Sequence, residues 1–470
     1  MAPPFLISPY SADAAVESTI PVTKPEKVAK VKLINNVVEG FFDGSQTSEE
    51  LLKEIHALAA TKYDFLVTTR RDLHRNPELM YNERETSAYI QKALATMKIA
   101  FTTGWGVNTV PDRIPGEGGY GIVADIGTRK DPCVLLRADM DALPIFEETS
   151  NIDDFKSINP GVMHACGHDG HTAMLLGAAS ILKGMERSIK GTVRIIFQPA
   201  EEGGAGAKRM IEEGVLRDFP KPKHAFAMHV NPKVPSGIVA SRPGTVKAAA
   251  ERFEIKIKGV GGHAGYPHLT VNPIMTAASI VTNLQTLVSR NVSPLVSGRV
   301  CSVTKFSAGR AFNVIPESAV LRGTFRALTT DSLLDLKNNI EHIVNSTATM
   351  HGCQVGITYS ADWYPPTKND EQLYEEFSKE IGAMLSKSGE VLELDPSMGA
   401  EDFGFFAEAI PSSYFMIGSG SGIEPPTDFG LHHPCFALDE SILPQGVELH
   451  LNLALRALHM LGETDSYSHA

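Results

Sequence analysis

An α/β fold with an α+β unit inserted into it is what this 470-residue chain predicts, and two contrasting textures of sequence predict it. Before about Ala248, short apolar strands alternate with helical stretches, the pattern of a sheet covered by helices on both faces. From Phe253 the strands alternate residue by residue, as half-exposed antiparallel strands do. Their order is β-α-β-β-α-β, which fits a ferredoxin-like unit. The boundaries that follow are an N-terminal extension at 1–45, a larger domain made of 46–247 and 363–470, and the inserted domain at 248–362.

Residues 1–45 carry early prolines and little periodicity, as expected of a partly ordered extension. Thr47-Ser-Glu-Glu50 is a capping box that opens a helix through Leu51, Ile55, Leu58 and Ala59. Asp64 to His74 is predicted as a second helix, stopping near Asn76-Pro77, and Glu83 to Met97 as a third. Strands are expected at Gly121–Ile126, Cys133–Arg137, Thr192–Phe197 and His224–Val230, with helices from Thr172 to Lys183 and from Ala205 to Glu213. In the insert, strands are expected at Phe253–Lys258, Val300–Val303, Ser318–Phe325 and Gln354–Tyr359. Helices are expected there from Val271 to Ser289 and from Thr330 to Met350. A further helix, Glu371 to Lys387, leads back to the first sheet.

Composition excludes some classes of function. Hydrophobic residues make up 43% of the chain and charged residues 21%, as in an ordinary globular protein. A formal charge of −12 at pH 7 gives no electrostatic reason to bind nucleic acid or an anionic membrane surface. Apolar runs such as Thr172 to Leu182 are too short or interrupted to span a bilayer. Five scattered cysteines argue against a disulfide framework and for a reducing compartment. The first residues lack a basic n-region and a continuous apolar h-region, and Ser468-His469-Ala470 matches no retention signal, so the expected location is cytoplasmic.

The chemistry is concentrated in a few places. Cys166-Gly-His168 offers sulfur and imidazole one residue apart, with Gly167 allowing the tight backbone that convergence on a metal needs. The competing reading is a buried structural thiol beside a helix N-terminal histidine. His171, three residues on, reads as a capping or packing histidine and is not counted as a ligand. Glu201-Glu202 follows an apolar strand closed by Pro199, at the carboxyl end where open α/β sheets place their ligands. One acid is placed to hold metal while the other takes a proton from water. His229 stands in the same position on its strand. Leu431-His432-His433-Pro434 adds imidazoles in a Gly- and Pro-rich loop, a weak signal alone.

Together these pieces resemble the co-catalytic metallopeptidase family that includes aminoacylase, bacterial carboxypeptidases and succinyl-diaminopimelate desuccinylase. Within it they resemble the branch of indole-3-acetyl-amino-acid hydrolases, hippurate hydrolases and N-acetyl-diaminopimelate deacetylases. The matching motifs are Arg71-Asp-Leu-His-Arg-Asn-Pro-Glu78, Leu136-Arg-Ala-Asp-Met-Asp-Ala-Leu-Pro144, His164-Ala-Cys-Gly-His-Asp-Gly-His171 and Phe197-Gln-Pro-Ala-Glu-Glu-Gly203. Met228-His-Val230, Gly261-Gly-His-Ala264, Phe312-Asn-Val-Ile-Pro316, Gly399-Ala-Glu-Asp-Phe403 and Leu431-His-His-Pro434 follow in the same order.

The resemblance implies a zinc-peptidase-like catalytic domain with a mixed central sheet, and a lid or dimerisation role for the insert. It also implies two divalent metal ions, zinc or manganese, held by Cys166, His168, Glu202, His229 and His432, with Glu201 as general base. Register with the family alone favours His432 over His433. Other branches carry His-x-Asp where this chain has Arg137-Ala-Asp139, so Asp139 is read as orienting a ligand, with Cys166 standing in for the lost histidine. His263 would polarise the scissile carbonyl, and Asn313 with Arg326 would hold a substrate carboxylate.

The implied function is hydrolysis of the amide bond of a small N-acyl or N-aroyl amino acid. The implied assembly is a homodimer through the insert. A dipeptidase or carboxypeptidase using the same two-metal site is the close alternative. A non-catalytic binding protein on the same fold is the distant one.

Overall fold

The computed structural model describes residues 26–293, 298–420, 427 and 429–468. The readings of the first residues and of the last two lie outside these described residues. The chain divides into two compact units. The larger comprises Met1–Gly244, Asn369–Leu394 and Phe405–Ala470, and the smaller Thr245–Lys368 with Asp395–Gly404.

The larger unit is a mixed α/β structure. Its helices α1 (Glu26–Asp43), α2 (Ser48–Ala60), α3 (Tyr63–Arg75) and α4 (Arg84–Thr96) precede the sheet, and α5 (His168–Gly184), α6 (Gly206–Glu213) and α7 (Leu443–Ser468) follow parts of it. The strands are β1 (Phe101–Val107), β2 (Gly118–Gly127), β3 (Cys133–Asp139), β4 (Thr192–Gln198), β5 (Pro222–Pro235), β6 (Val239–Ser241), β7 (Leu392–Glu393) and β8 (Ser412–Gly420). They form one eight-stranded sheet in the order β1-β2-β4-β3-β5-β8-β6-β7. The run β4-β3-β5-β8 is parallel, and antiparallel pairs flank it. All seven residues of β3 and of β4 are buried, as central strands covered on both faces require.

Local chemistry fixes the helix ends. In α2 the Thr47 side chain accepts from the Glu50 N–H at 3.2 Å, and Glu50 Oε2 accepts from the Thr47 N–H at 2.8 Å. Within residues 1–45 the helix α1 buries Ile34, Val37, Val38 and Phe41 in the main core, at the i, i+3, i+4, i+7 spacing of one helical face. Burial of this kind contributes roughly 1.5–3 kcal/mol per side chain. α5 starts at His168, four residues before the predicted Thr172. Gly167, at φ +88°, occupies the left-handed region just ahead of it, and an added Cβ there would meet Val230 Cγ2 at 2.5 Å.

The smaller unit has its own sheet of four strands, in the order Arg299–Ala308, Ser318–Ala327, Ala249–Lys258, Gln354–Tyr359, all antiparallel. Phe253, Ile255 and Ile257 alternate into a core with Leu321 and Phe325. Helices Pro273–Leu284 and Thr330–Met350 cover that face with Ile280, Leu336 and Ile340. Among the described residues no helix is long and apolar enough to cross a membrane.

One buried group gives the larger unit an acid sensitivity. His450 on α7 is 1% exposed, and neither ring nitrogen has a hydrogen-bond partner among the described residues. Burial, with a smaller contribution from nearby His171, pushes its pKa down from 6.5 to about 3. The unfolded chain takes up a proton below 6.5 that the folded chain refuses. Stability contributed by this histidine is therefore complete above pH 6.5 and is lost as pH falls toward 3, at about 1.4 kcal/mol per unit. His450→Leu is expected to shrink the difference between urea midpoints at pH 7 and pH 5. An unchanged difference would show that His450 is not the group responsible.

Candidate metal centre

Three parallel strands deliver the acidic and imidazole groups to one edge of the sheet. β3 ends at Asp139, whose register partner is Gln198, the last residue of β4. Glu201 and Glu202 follow in the turn beyond Pro199. His229 lies on β5, beside Met416 of β8. The first turn of α5 brings His168 to the same edge, and the loop before it brings Cys166.

Neighbouring carbonyls set the imidazole tautomers. His168 Nδ1 donates to the Asp141 carbonyl at 2.9 Å, which leaves the Nε2 lone pair for another partner. That Nε2 is buried and makes no hydrogen bond. His229 Nδ1 donates to the Val230 carbonyl at 2.7 Å, and its Nε2 lies 3.3 Å from Cys166 Sγ. With Nδ1 committed to a carbonyl in both rings, Nε2 is the nitrogen each would turn to a metal, which binds it in its deprotonated form.

The donor atoms fall into tight sets, each within 4.8 Å: Cys166, His168 and His229; Cys166, Glu202 and His432; His168, Glu201 and Glu202. Cys166 is common to the first two sets. Thiolate, imidazole nitrogen and carboxylate oxygen form a donor set that suits a divalent transition metal of zinc-like character. A buried imidazole nitrogen without a hydrogen-bond partner is what such an ion would satisfy.

The two acids are held through their backbone. Asp141 Oδ1 accepts from the Glu201 N–H at 3.0 Å, and Oδ2 from the Glu202 N–H at 2.9 Å. Glu201 is 6% exposed. Glu202 Oε1 lies 3.1 Å from His432 Nε2. Burial alone would raise the Glu202 carboxyl, but His432 and His168 bring it below its usual value. Burial likewise opposes ionisation of Asp139, and its neighbours His168, Arg137 and His171 override it, holding that carboxylate well below its usual range.

Asp139 sits behind this edge. Arg137 Nη1 donates to its Oδ2 at 2.6 Å, His171 Nδ1 donates to its Oδ1 at 2.6 Å, and His168 Nε2 is 3.7 Å away. The other nitrogen of His171 accepts from the Val230 N–H at 3.0 Å. With both nitrogens occupied, His171 ties α5 to β3 and β5 and has no lone pair to offer a metal. His432 is brought beside Cys166 and Glu202 by a left-handed backbone, φ +64°, and by its N–H donating to the Ala165 carbonyl at 2.8 Å. His433 accepts the Cys435 N–H at 3.0 Å and stacks on Phe429, so it does not join the cluster.

The remaining three residues named from the sequence belong to the smaller unit. His263 is exposed on a two-residue strand paired with Val314, and the Ala264 N–H donates to the Asn313 carbonyl at 2.9 Å. The Gly265 N–H donates to His263 Nδ1 at 2.9 Å, which places the ring proton on Nε2 as a donor. Asn313 is exposed. Arg326 is half-buried and donates to the Met398 carbonyl at 2.5 Å. Asp141 is the residue that sequence reasoning passed over. Its signal was the repeated acid of Asp139-Met-Asp141.

Comparison with known proteins adds to this geometry. Residues 135–456 match the profile of "Peptidase family M20/M25/M40". The chain is 41% identical over 399 residues to IAA-amino acid hydrolase ILR1-like 4 of Arabidopsis thaliana, covering 84% of this chain and 86% of that one. It is 37% identical over 396 residues to thermostable carboxypeptidase 2 of Saccharolobus solfataricus, covering 84% and 95%. Among solved structures, a Bacillus subtilis protein described as a dinuclear metal binding peptidase of the M20 family superposes with a TM-score of 0.69. It shares 32% identity, over 85% of this chain and 99% of that one.

Proposed function

Because the chain belongs to the peptidase family M20/M25/M40, we propose that it hydrolyses N-acyl or N-aroyl amino acids at a two-metal site, releasing a carboxylic acid and a free amino acid. At the coarser level the protein is a metal-dependent hydrolase of carbon–nitrogen amide bonds. The observation that carries the finer reading is the pair of donor sets sharing Cys166, with buried Glu201 in the set beside them.

Cys166, His168 and His229 would hold one ion and Cys166, Glu202 and His432 the other. Bound there, such ions would supply acidification of water and polarisation of the amide carbonyl. Glu201 takes the proton of the attacking water and returns it to the leaving nitrogen. Asp139 keeps His171 and Arg137 in place behind His168. The assignment of His263 to the carbonyl oxygen, and of Asn313 and Arg326 to the substrate carboxylate, rests on the motif resemblance. The Nε2–H of His263 suits its role. A thiolate shared by both sets favours zinc over manganese.

A carboxypeptidase acting through the same site is the second reading, supported by the likeness to the Saccharolobus enzyme. The two separate on a substrate panel of N-acetyl, benzoyl and indole-acetyl amino acids set against dipeptides, with zinc, manganese or cobalt added. At least one N-acyl amino acid is expected to exceed every dipeptide in kcat/KM by about tenfold or more, the discrimination a dedicated acyl pocket provides. The reverse order would establish the peptidase reading. No turnover of any member would leave a binding protein.

A further inference from the structure

Three successive backbone N–H groups, those of Ala200, Glu201 and Glu202, each point at a buried carboxylate. Asp141 takes the second and third. The first goes to Glu83, whose Oε1 accepts from the Ala200 N–H at 2.8 Å. Glu83 is fully buried, immediately ahead of α4. Ala200 needs such a hold because its φ of +57° lies in the left-handed region, which a residue with a Cβ occupies only under constraint. Two residues before Glu83, the buried Tyr81 hydroxyl donates to the Gly204 carbonyl at 2.5 Å. The segment 81–83 therefore grips the acid-bearing turn at both ends, Ala200 and Gly204.

We propose that Glu83, assisted by Tyr81, is a positioning residue that fixes the turn from Ala200 to Gly204, so that Glu201 and Glu202 face the metal centre in different roles. The inference rests on the assignment of Glu201 as base and Glu202 as ligand. With β4 ending at Gln198 and Pro199 next, the peptide planes of 200–202 are not fixed by sheet hydrogen bonds. A rotation of the Ala200 peptide would swing both carboxylates. Glu83 closes that freedom from one side and Asp141 from the other. Burial, reinforced by the charge of Asp141, pushes the Glu83 carboxyl well above the usual carboxylate range. A neutral amide is therefore a close mimic of it.

The test compares Glu83→Gln with Glu83→Leu in the full-length zinc-loaded protein. Both fill the space, and only glutamine can still accept from Ala200. Two quantities are read: kcat and KM on the best substrate of the panel, and the dissociation constant for zinc by chelator competition. Glutamine is expected to stay within about threefold of the parent, while leucine lowers kcat and weakens zinc by about 10–100-fold with little change in KM, the usual effect of losing a group that orients a ligand. Leucine indistinguishable from glutamine in both quantities would overturn the proposal. If the parent turns over nothing in the panel, the functional reading fails separately and the zinc competition alone decides for or against Glu83. If the leucine variant does not fold, Tyr81→Phe replaces it, with an expected fall in kcat or zinc affinity of about tenfold. A Tyr81→Phe protein identical to the parent in both would overturn the proposal equally.

Discussion

Replacing Glu201 by glutamine is expected to lower kcat by about 10²–10⁴-fold while leaving the bound metal in place, the effect of removing a general base. The side chains are nearly equal in size, and the backbone hold on residue 201 is through its N–H, which the substitution keeps. What changes is the ability to accept and return a proton. The split between activity and metal content is informative because Glu202 is adjacent and chemically identical. Glu202 pairs with His432 and shares a donor set with Cys166, so Glu202→Gln should instead release metal. Measuring kcat and metal content on both variants separates base from ligand. Near-parental turnover in Glu201→Gln would remove Glu201 from the mechanism. Loss of metal from that variant would exchange the two assignments.

How much of this was legible in the sequence follows from the reach of each interaction. The β-α-β-β-α-β order of the insert could be read because alternation within one strand reports its own half-buried face. β1 escaped because Phe101–Val107 contains two glycines and two irregularities in its pairing with β2, which erase the alternation. The start of α5 escaped because the spacing of apolar residues begins at Thr172, whereas the helix is nucleated by the left-handed Gly167. Cys166 and His168 stood out because a one-residue spacing is visible locally. The choice between His432 and His433 was legible only as register with the family, not from the residues themselves. It depends on the backbone angle of His432 and a hydrogen bond to Ala165, more than 260 positions away.

Asp141 and Glu83 illustrate a deeper limit. Neither belongs to the donor sets. Each acts by accepting backbone N–H groups 60 and 117 positions away respectively, and a backbone N–H carries no residue identity. A sequence shows which side chains have the right chemistry. It does not show which peptide groups they hold still. His263, Asn313 and Arg326, which the motif resemblance assigns to the substrate, differ again: their motifs are visible, while the hydrogen bonds that hold them within the smaller unit are not.

Cys166 carries the second large effect, because it belongs to both donor sets. Cys166→Ala is expected to deplete metal from both positions at once, with activity falling by about 10³-fold or more, since acidification of the attacking water by many pKa units depends on those ions. His229→Ala, which touches one set only, should leave the Glu202–His432 set occupied. The sharper variant is Cys166→Asp. An aspartate restores a negatively charged donor but exchanges soft sulfur for hard oxygen, so overall occupancy should recover while preference moves from zinc toward manganese. Competition between the two metals, followed by elemental analysis of the washed protein, reads that shift directly. If parent and aspartate variant retain the same metal ratio, sulfur is not what sets the preference. If alanine at position 166 leaves two ions bound, Cys166 is no shared ligand, and the two donor sets reduce to neighbours without a common member.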